Sequence, residues 1–345
     1  MSKTFFLDLE PPLLEEYIVK NGFSRYRASQ ITKWVYKKRV RSFTDCSDLP
    51  LDLQKNLEER FLLRSFRKKD KKASKLDSSV KYAFESYDGF VVNTVFLPQK
   101  DRNSVCLSAQ IGCPIGCSFC ASGRVKFRRN LTRGEILEQV IRIEEDRGIK
   151  LDSILFMGMG EPLLNYQNVV SSIKSFADEN QFGYSRRHII ISTVGIVPQI
   201  RKLAEEKIGV RLALSLHSPD DNIREKIVPE EVPYSVKEIL KAGINYSRDT
   251  KSRLTIEYVL IPGINDNLAS ARKLLKLIQR GTVYKDQIQV NLIPYNPTGL
   301  KDTKTPAKEN VQEFKDYLLR HKLLTIVREP RGTDIGAACG QLTLE

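Results

Sequence analysis

From about residue 104 onward, short β-branched runs alternate with amphipathic stretches of helical period. The runs are Ser153–Met157, His188–Ser192, Val210–Leu216, Leu254–Leu260, Gln287–Ile293 and Leu324–Val327. Between them lie Arg133–Arg147, Gln199–Lys207, Ser235–Ala242, Leu268–Gln279 and Lys308–Leu319. In the first of these, Ile136, Leu137, Val140 and Ile141 share one helical face. Such alternation admits few folds, because parallel strands are joined by right-handed crossovers that lay helices on the sheet. With the strand before residue 113 included, the unit recurs about six times. This predicts an α/β fold with an open, partial (β/α)6 barrel, whose ligands belong at the C-terminal ends of the strands. There is no tandem repeat.

The first part of the chain reads differently. Leu13, Leu14, Tyr17 and Ile18, then Ala28, Ile31, Trp34 and Val35, repeat at helical spacing, and a third helix is predicted around Leu51–Leu62. Trp34 and Cys46 read as core residues. From about 78 to 99 the period drops to two (Val80, Tyr82, Phe84; Val91, Asn93, Val95), with Asp88-Gly89 between the runs as a hairpin signal. The organisation predicted is a helical accessory domain over residues 1–75 that binds RNA, a β-hairpin linker over 76–100, and the α/β core with its C-terminal segment over 101–345.

At the mouth of that barrel lies C-P-I-G-C-S-F-C, with Cys113, Cys117 and Cys120 in C-x3-C-x2-C spacing. Three thiolates so placed can hold a 4Fe–4S cube and leave its fourth iron open to a small molecule. Phe119 fits the same pattern. Structural zinc asks for four protein ligands in paired spacings. No second C-x2-C pair exists, and His188, His217 and His321 are far apart in sequence, so the ligand count favours the open cluster. A disulfide framework does not suit a 345-residue chain with six cysteines and no export signal. These features imply a reducing cytoplasm, and no stretch approaches the ~18 apolar residues of a membrane span.

The formal charge is +14, from 56 basic and 42 acidic residues. That excess suits a polyanionic partner, because Lys and Arg contacts to phosphate drive sequence-independent affinity. Two basic groups stand out. Arg64, Arg67, Lys68, Lys69, Lys71, Lys72 and Lys75 form one, which reads equally as an RNA contact or a solvated face. Arg124, Lys126, Arg128, Arg129 and Arg133, with Phe127 among them, form the other directly after the cysteine loop and are expected near the mouth of the site.

Several polar residues fall at predicted strand ends. Phe156–Pro162 (F-M-G-M-G-E-P) offers glycines that allow close backbone approach and Glu161, a carboxylate suited to an ammonium group. Ser192, then Ser215, Leu216 and His217, then Asn296 end later strands, and together they form a polar ligand ring. Cys106 and Cys339 remain outside the cluster motif. A lone cysteine is usually structural, but two thiols that both reach the barrel mouth suggest redox or nucleophilic chemistry.

Taken together, C-x3-C-x2-C, MGMGEPLLN, IST-x-G-IVP, LSLHSPDD, NLIPYNP and R-G-x-D-I-x-A-A-C-G-Q-L resemble the RlmN/Cfr family of radical S-adenosylmethionine (SAM) RNA methyltransferases over essentially the whole chain. GEP resembles the RlmN branch, which methylates carbon 2 of adenine in 23S rRNA and tRNA; Cfr acts at carbon 8. The resemblance implies a radical SAM barrel in which Cys113, Cys117 and Cys120 hold the 4Fe–4S cluster, and Gly160, Glu161, Ser192, Ser215, Leu216, His217 and Asn296 bind SAM. It further implies that Cys339 is methylated by a first SAM, that a radical made from a second SAM activates this methyl group for addition to adenine, and that Cys106 resolves the adduct by forming a disulfide with Cys339. A monomer served by an electron donor such as flavodoxin or ferredoxin is also implied.

Two positions depart from the family pattern. The family's proton-accepting glutamate, thirteen residues before the resolving cysteine, is Asn93 here, and an amide cannot accept a proton as a carboxylate does. Loss of a general base costs ~10²–10⁴-fold. Another group or water then does this work, or the chain is a trapped variant or a paralogue with altered activity. Glu230 stands where relatives usually carry Asn after the proline. A non-catalytic RNA-binding or zinc protein is the reading that charge and cysteine loop alone would also allow.

Overall fold

The computed structural model describes residues 3–229, 232–281, 287–298 and 304–343; Glu230 lies outside them. The N-terminal unit comprises β1 (Thr4–Phe5), α1 (Pro11–Lys20), α2 (Tyr26–Tyr36), α3 (Leu51–Arg60) and β2 (Phe61–Leu62), with β1 parallel to β2. Leu14, Ile18, Ile31, Val35, Phe43, Leu53 and Leu57 fill its interior, and Cys46 is buried among them as a packing residue. The Phe6 ring meets Phe43 and Phe61 edge-on at 5.4 and 5.6 Å. Trp34 packs against this core from its edge. It is half-buried, because its indole Nε1–H donates to the Asp48 carboxylate at 2.5 Å and Lys38 covers its ring.

Next come β3 (Arg67–Ala73), β4 (Val80–Glu85), β5 (Val91–Gln99) and β6 (Arg102–Cys106), joined antiparallel in sequence. Asp88-Gly89 turns the chain between β4 and β5, with Gly89 at φ +81°. The predicted hairpin is present, but its strands continue the main sheet through β6. The basic run at 67–73, which the periodicity reading leaves beside the helices, is instead the edge strand β3. Its alternation is hidden because all seven residues are exposed, and charge on an edge strand discourages pairing with another chain.

The core follows with the short β7 (Gln110–Ile111) and β8 (Arg129–Asn130), then α4 (Arg133–Arg147), β9 (Ser153–Phe156), α5 (Tyr166–Ala177), β10 (Ile189–Thr193), α6 (Val197–Glu205) and β11 (Arg211–Ser215). It is completed by α7 (Asp221–Ile227), α8 (Val236–Thr250), β12 (Leu254–Leu260), α9 (Leu268–Gly281), β13 (Ile288–Pro294), α10 (Lys308–Arg320) and β14 (Leu324–Val327). The ten-stranded sheet runs β14-β13-β12-β11-β10-β9-β6-β5-β4-β3. Pairing from β6 through β9 to β14 is parallel throughout, as the βα alternation predicts. Strands β6 and β9 to β13 all line one cavity, so the sheet curls around a lumen. Helix α5 gave no clear signal. Its serines and β-branched residues are mediocre helix formers, and burial of Val169, Val170, Ile173 and Phe176 decides its conformation. Among the described residues, no helix is long and apolar enough to cross a membrane.

Helix α4 ties the pieces together. It starts at a Thr132/Glu135 capping box and ends at Gly148 with φ +65°. Its buried Glu138 accepts hydrogen bonds from the Ser65 N–H (2.8 Å), the Ser65 hydroxyl (2.7 Å), the Phe66 N–H (3.1 Å) and Arg142 (2.9 Å). Arg64–Glu145 and Arg39–Glu144 pairs at 2.6 and 2.5 Å flank it. Removing one partner of a buried charged network strands the others. Glu138→Ala should therefore destabilise the fold by about 3–5 kcal/mol, read as a lower denaturant midpoint, while a Lys75→Ala control on the exposed surface should change stability by less than about 0.5 kcal/mol.

Candidate active site

The loop between β7 and β8 carries Cys113, Cys117 and Cys120, and all three line one cavity at the C-terminal ends of the strands. Desolvation pushes the Cys113 thiol up to about 12 and Cys117 well above the ordinary thiol value. Buried thiols of this kind become thiolates when metal cations compensate the charge. The guanidinium of buried Arg224, held by the Val194 and Leu216 carbonyls at 2.6 and 3.1 Å, is the positive group beside Cys117. Among the described residues, no three of His, Cys, Asp and Glu close on a single ion. A 4Fe–4S cube is held differently, with each thiolate on its own iron, and three separated thiols around one cavity fit it.

Across the cavity, Gly160 takes φ +93°. A Cβ there would meet Gln110 side-chain atoms at 2.5 Å, so only glycine lets Gln110 receive the Glu161 N–H at 2.8 Å. Glu161 is buried at the end of β9. Its two carboxylate oxygens accept the N–H groups of Leu163 (3.0 Å) and Val194 (2.9 Å). Those bonds fix its orientation, while desolvation raises its pKa to about 7. The Thr193 hydroxyl also bonds the carboxylate, which still leaves it a lone-pair direction open, so an incoming ammonium would stabilise the ionised form.

Ser192 and Ser215 end adjacent strands and share a hydrogen bond at 3.0 Å. His217 sits just beyond β11 in the left-handed region, at φ +60°. Its Nδ1 accepts the Val259 N–H at 3.2 Å, which leaves the proton on Nε2, and burial beside Arg224 lowers its pKa to about 3. It is thus a neutral donor, wedged edge-on against Phe119 at 4.7 Å. Asn296 also faces the cavity, where its Nδ2 donates to the Cys339 carbonyl at 3.1 Å. Leu216 differs from its neighbours. Its side chain is fully buried, so only its backbone is near the site.

Cys339 lies on the C-terminal segment that folds back over the barrel. The Ala121 N–H donates to the Gly340 carbonyl at 2.6 Å, and the Ser122 hydroxyl to the Leu342 carbonyl at 2.7 Å. The segment is thus fastened to the residues directly after Cys120. Arg331 and the Gly332 N–H are held by Asp77 at 2.6 and 2.7 Å. The Cys339 thiol is exposed to the cavity although protein surrounds it, and that enclosure raises its pKa. It opens onto both the upper cavity and a second, larger one of about 620 Å³ that fills the barrel lumen. Cys106, at the end of β6, faces the same lumen as a free thiol whose pKa is also raised by burial and by Cys339.

Asn93 shares a face of β5 with the lumen-lining Val95, Leu97 and Gln99 but does not itself line the lumen. It is fully buried, its Nδ2 donates to the Thr343 carbonyl, and its Oδ1 has no partner. Leu342 packs over Val95 and Met159 beside it. The carboxylate that does line both cavities is Glu257 on β12, whose Oε1 accepts from Asn291 at 2.8 Å. Glu257 is the residue that sequence reading missed. Its signal was a single charge inside the apolar strand L-T-I-E-Y-V-L. Arg328, lining both cavities next to β14, was missed as well.

The basic run after the cysteine loop divides. Arg129 is spent on Asp88 (2.5 Å) and Glu135 (2.7 Å), and Arg133 is buried against Ser175 at 2.5 Å. These two stabilise the loop base, while Arg124, Lys126 and Arg128 are exposed and make no ion pair among the described residues, Arg124 donating to the Thr298 carbonyl. In the earlier run Arg64 is buried against Glu145, Arg67 pairs with Glu85, and Lys68 and Lys71 flank Asp146.

Residues 107–275 match the radical SAM superfamily, and residues 5–63 match the ribosomal RNA large subunit methyltransferase N-terminal domain. A protein of Endomicrobium trichonymphae named "Probable dual-specificity RNA methyltransferase RlmN" is 44% identical over 340 residues, which cover 99% of this chain and 97% of that protein. The proteins of the same name from Thermotoga maritima and Thermus thermophilus are 42% and 43% identical, covering 98% and 96% of this chain and 97% and 92% of theirs. The crystal structure of a radical SAM methyltransferase from Sphaerobacter thermophilus superposes with a TM-score of 0.93 at 38% identity, covering 99% of this chain and 100% of that one. With full-length similarity of this order, the chain belongs to the RlmN family of radical SAM RNA methyltransferases, enzymes that work with a 4Fe–4S cluster and SAM.

Proposed function

We propose that the chain methylates carbon 2 of adenine in 23S rRNA and tRNA, by way of a methyl group first carried on Cys339. The observation that carries this reading is that two free thiols, Cys339 and Cys106, open onto one lumen directly below the cysteine loop. Cys113, Cys117 and Cys120 would hold the cluster. Glu161, Ser192, Ser215, His217 and Asn296 would hold SAM, with Glu161 on its ammonium group, and the backbone at Gly160 and Leu216 beside it. A single chain acting in the cytoplasm, reduced by a flavodoxin- or ferredoxin-type donor, completes the reading.

Cys339 first displaces the methyl group of one SAM, losing its thiol proton and gaining an S–CH3 bond. With cluster and a second SAM bound, reductive cleavage supplies a carbon radical that takes a hydrogen atom from this methyl group. The methylene on Cys339 then bonds to the ring carbon, and the tether fixes its geometry. A base takes the ring proton. The Cys106 thiolate attacks the Cys339 sulfur, the S–C bond breaks as the S–S bond forms, the freed carbon gains a proton to become methyl, and the one electron left over would return to the cluster that Cys113, Cys117 and Cys120 would hold, which gave up one electron in the cleavage of SAM. Transient disulfides of this kind are the usual cytosolic use of such a bond.

Asn93 cannot be the base. Glu257 takes that role in this reading: it faces the lumen, and burial raises its carboxyl above the ordinary range against the pull of Arg328, which strengthens it as a proton acceptor near neutral pH. The second reading, a paralogue that stalls at the adduct or modifies another position such as carbon 8, rests on Asn93 alone.

Cys339→Ala should abolish both methylation and protein–RNA crosslinking, and Cys106→Ala should accumulate a covalent adduct on denaturing gels. Free product from Cys339→Ala would end the tethered mechanism. Glu257→Gln should slow product release by ~10²–10⁴-fold with adduct still formed; unchanged turnover would exclude it as the base. Glu161→Gln should weaken SAM binding by roughly 10–100-fold with iron content unchanged. Because the free carboxyl titrates at about 7, SAM affinity of the parent should rise as pH is raised through that value, and equilibrium dialysis of the variant should lose this pH dependence.

A further inference from the structure

The lumen has two ends, and the end away from the cysteine loop is built from arginine. Successive lumen-facing residues alternate along each strand. On β6 they are Arg102, Ser104 and Cys106, all lining the lower cavity. On β12 and the residue before it they are Arg253, Thr255 and Glu257. On β11 the sequence runs from Arg211 to Ser215, with Ala213 opposite Thr255 and Ser215 opposite Glu257; two residues earlier, the same register sets Arg211 beside Arg253. Arg102 comes near from across the curled sheet, since both it and Arg253 act on Arg211 as like charges.

Among the described residues, none of these three guanidinium groups makes an ion pair or donates a side-chain hydrogen bond. Arg211 is half-buried and Arg102 and Arg253 are exposed at the rim of the lumen; with Glu257 the one carboxylate that acts on Arg211, and no ion pair made, these converging cations form a site that an anion would complete. Four residues of strand, about 13 Å at ~3.3 Å per residue, separate this layer from the level of Ser215 and Glu257. A phosphate held at the arginine layer would let a base reach upward through the lumen toward Cys106 and Cys339.

We propose that the RNA substrate enters the barrel from the N-terminal ends of its strands, with a backbone phosphate clamped by Arg102, Arg211 and Arg253 while the target base occupies the lumen. SAM would be held at one end of the barrel and RNA would enter at the other. This rests on the RNA methyltransferase reading above but not on which carbon is modified. It also assigns RNA contact to residues outside both basic runs of the sequence.

The test is binding rather than turnover. A fluorescent stem-loop RNA with an unpaired adenine is titrated, across a salt series, into the cluster-loaded parent protein and the Arg211→Gln/Arg253→Gln variant. The variant should bind at least tenfold more weakly, with the slope of log K against log[salt] shallower by about 0.7–0.9 for each lost contact. Arg211→Lys/Arg253→Lys should recover most of that slope, and SAM affinity should match the parent in both. Equal RNA affinity and slope in parent and glutamine variant would overturn the entry site. A parent that binds RNA through these arginines yet yields no methyladenosine would instead overturn the reaction assigned above and leave the entry site standing.

Discussion

Everything in the site depends on the C-terminal segment being fastened to the loop that follows Cys120. Cys339 lies on an irregular stretch, and irregular chain near a terminus is ordinarily among the least ordered parts of a protein. Here the Ala121 N–H and the Ser122 hydroxyl hold the Gly340 and Leu342 carbonyls at 2.6 and 2.7 Å, and Asn296 holds the Cys339 carbonyl at 3.1 Å. Each of these bonds is worth only ~0.5–1.5 kcal/mol. Together with the small cluster of Val95, Met159, Ala337 and Leu342, they place the thiol at the boundary between two cavities. The Cys339 thiol therefore opens onto both cavities from one fastened position.

The two cavities divide the chemistry by environment. The upper one combines separated thiols, a carboxylate fixed by two N–H groups, and a histidine kept neutral by burial beside Arg224, with its tautomer set by the Val259 N–H. The lower one is longer and carries charge, with Glu257, Arg328 and the arginines at its far end. Asn93 belongs to neither. Its amide anchors the Thr343 carbonyl, which gives this position a structural role that a carboxylate could not fill, since a carboxylate has no proton to donate to a carbonyl. At the position where the family resemblance leads one to expect a glutamate, the amide is thus a fastening point of the same segment that carries Cys339.

Much of this was legible in the sequence. The βα alternation follows from periodicity because burying one face of each helix on a parallel sheet leaves little freedom. The cysteine loop, the glycines before Glu161, and the polar strand ends at Ser192, Ser215 and Asn296 announce themselves by residue type and spacing. What escaped was whatever depends on curvature and three-dimensional pairing. Strand β3 hid because none of its residues is buried. Helix α5 hid because packing, rather than propensity, forms it. Glu257 looked like one charge in an apolar strand until the sheet curled and turned it toward two thiols. Arg129 and Arg133 looked like part of a basic group at the mouth of the site until the fold gave them Asp88, Glu135 and Ser175 as partners, whereas Arg102, Arg211 and Arg253, scattered over more than a hundred residues, converge only in the folded barrel.

The central claim is that a methyl group passes from Cys339 to carbon 2 of adenine in a barrel whose family base has become Asn93. Its most direct test is nucleoside mass spectrometry of rRNA and tRNA taken from cells that lack the modification, after incubation with the anaerobically reconstituted protein, SAM and a reductant. The account predicts the appearance of 2-methyladenosine. SAM cleavage with no methylated adenine, or methylation confined to carbon 8, would contradict it.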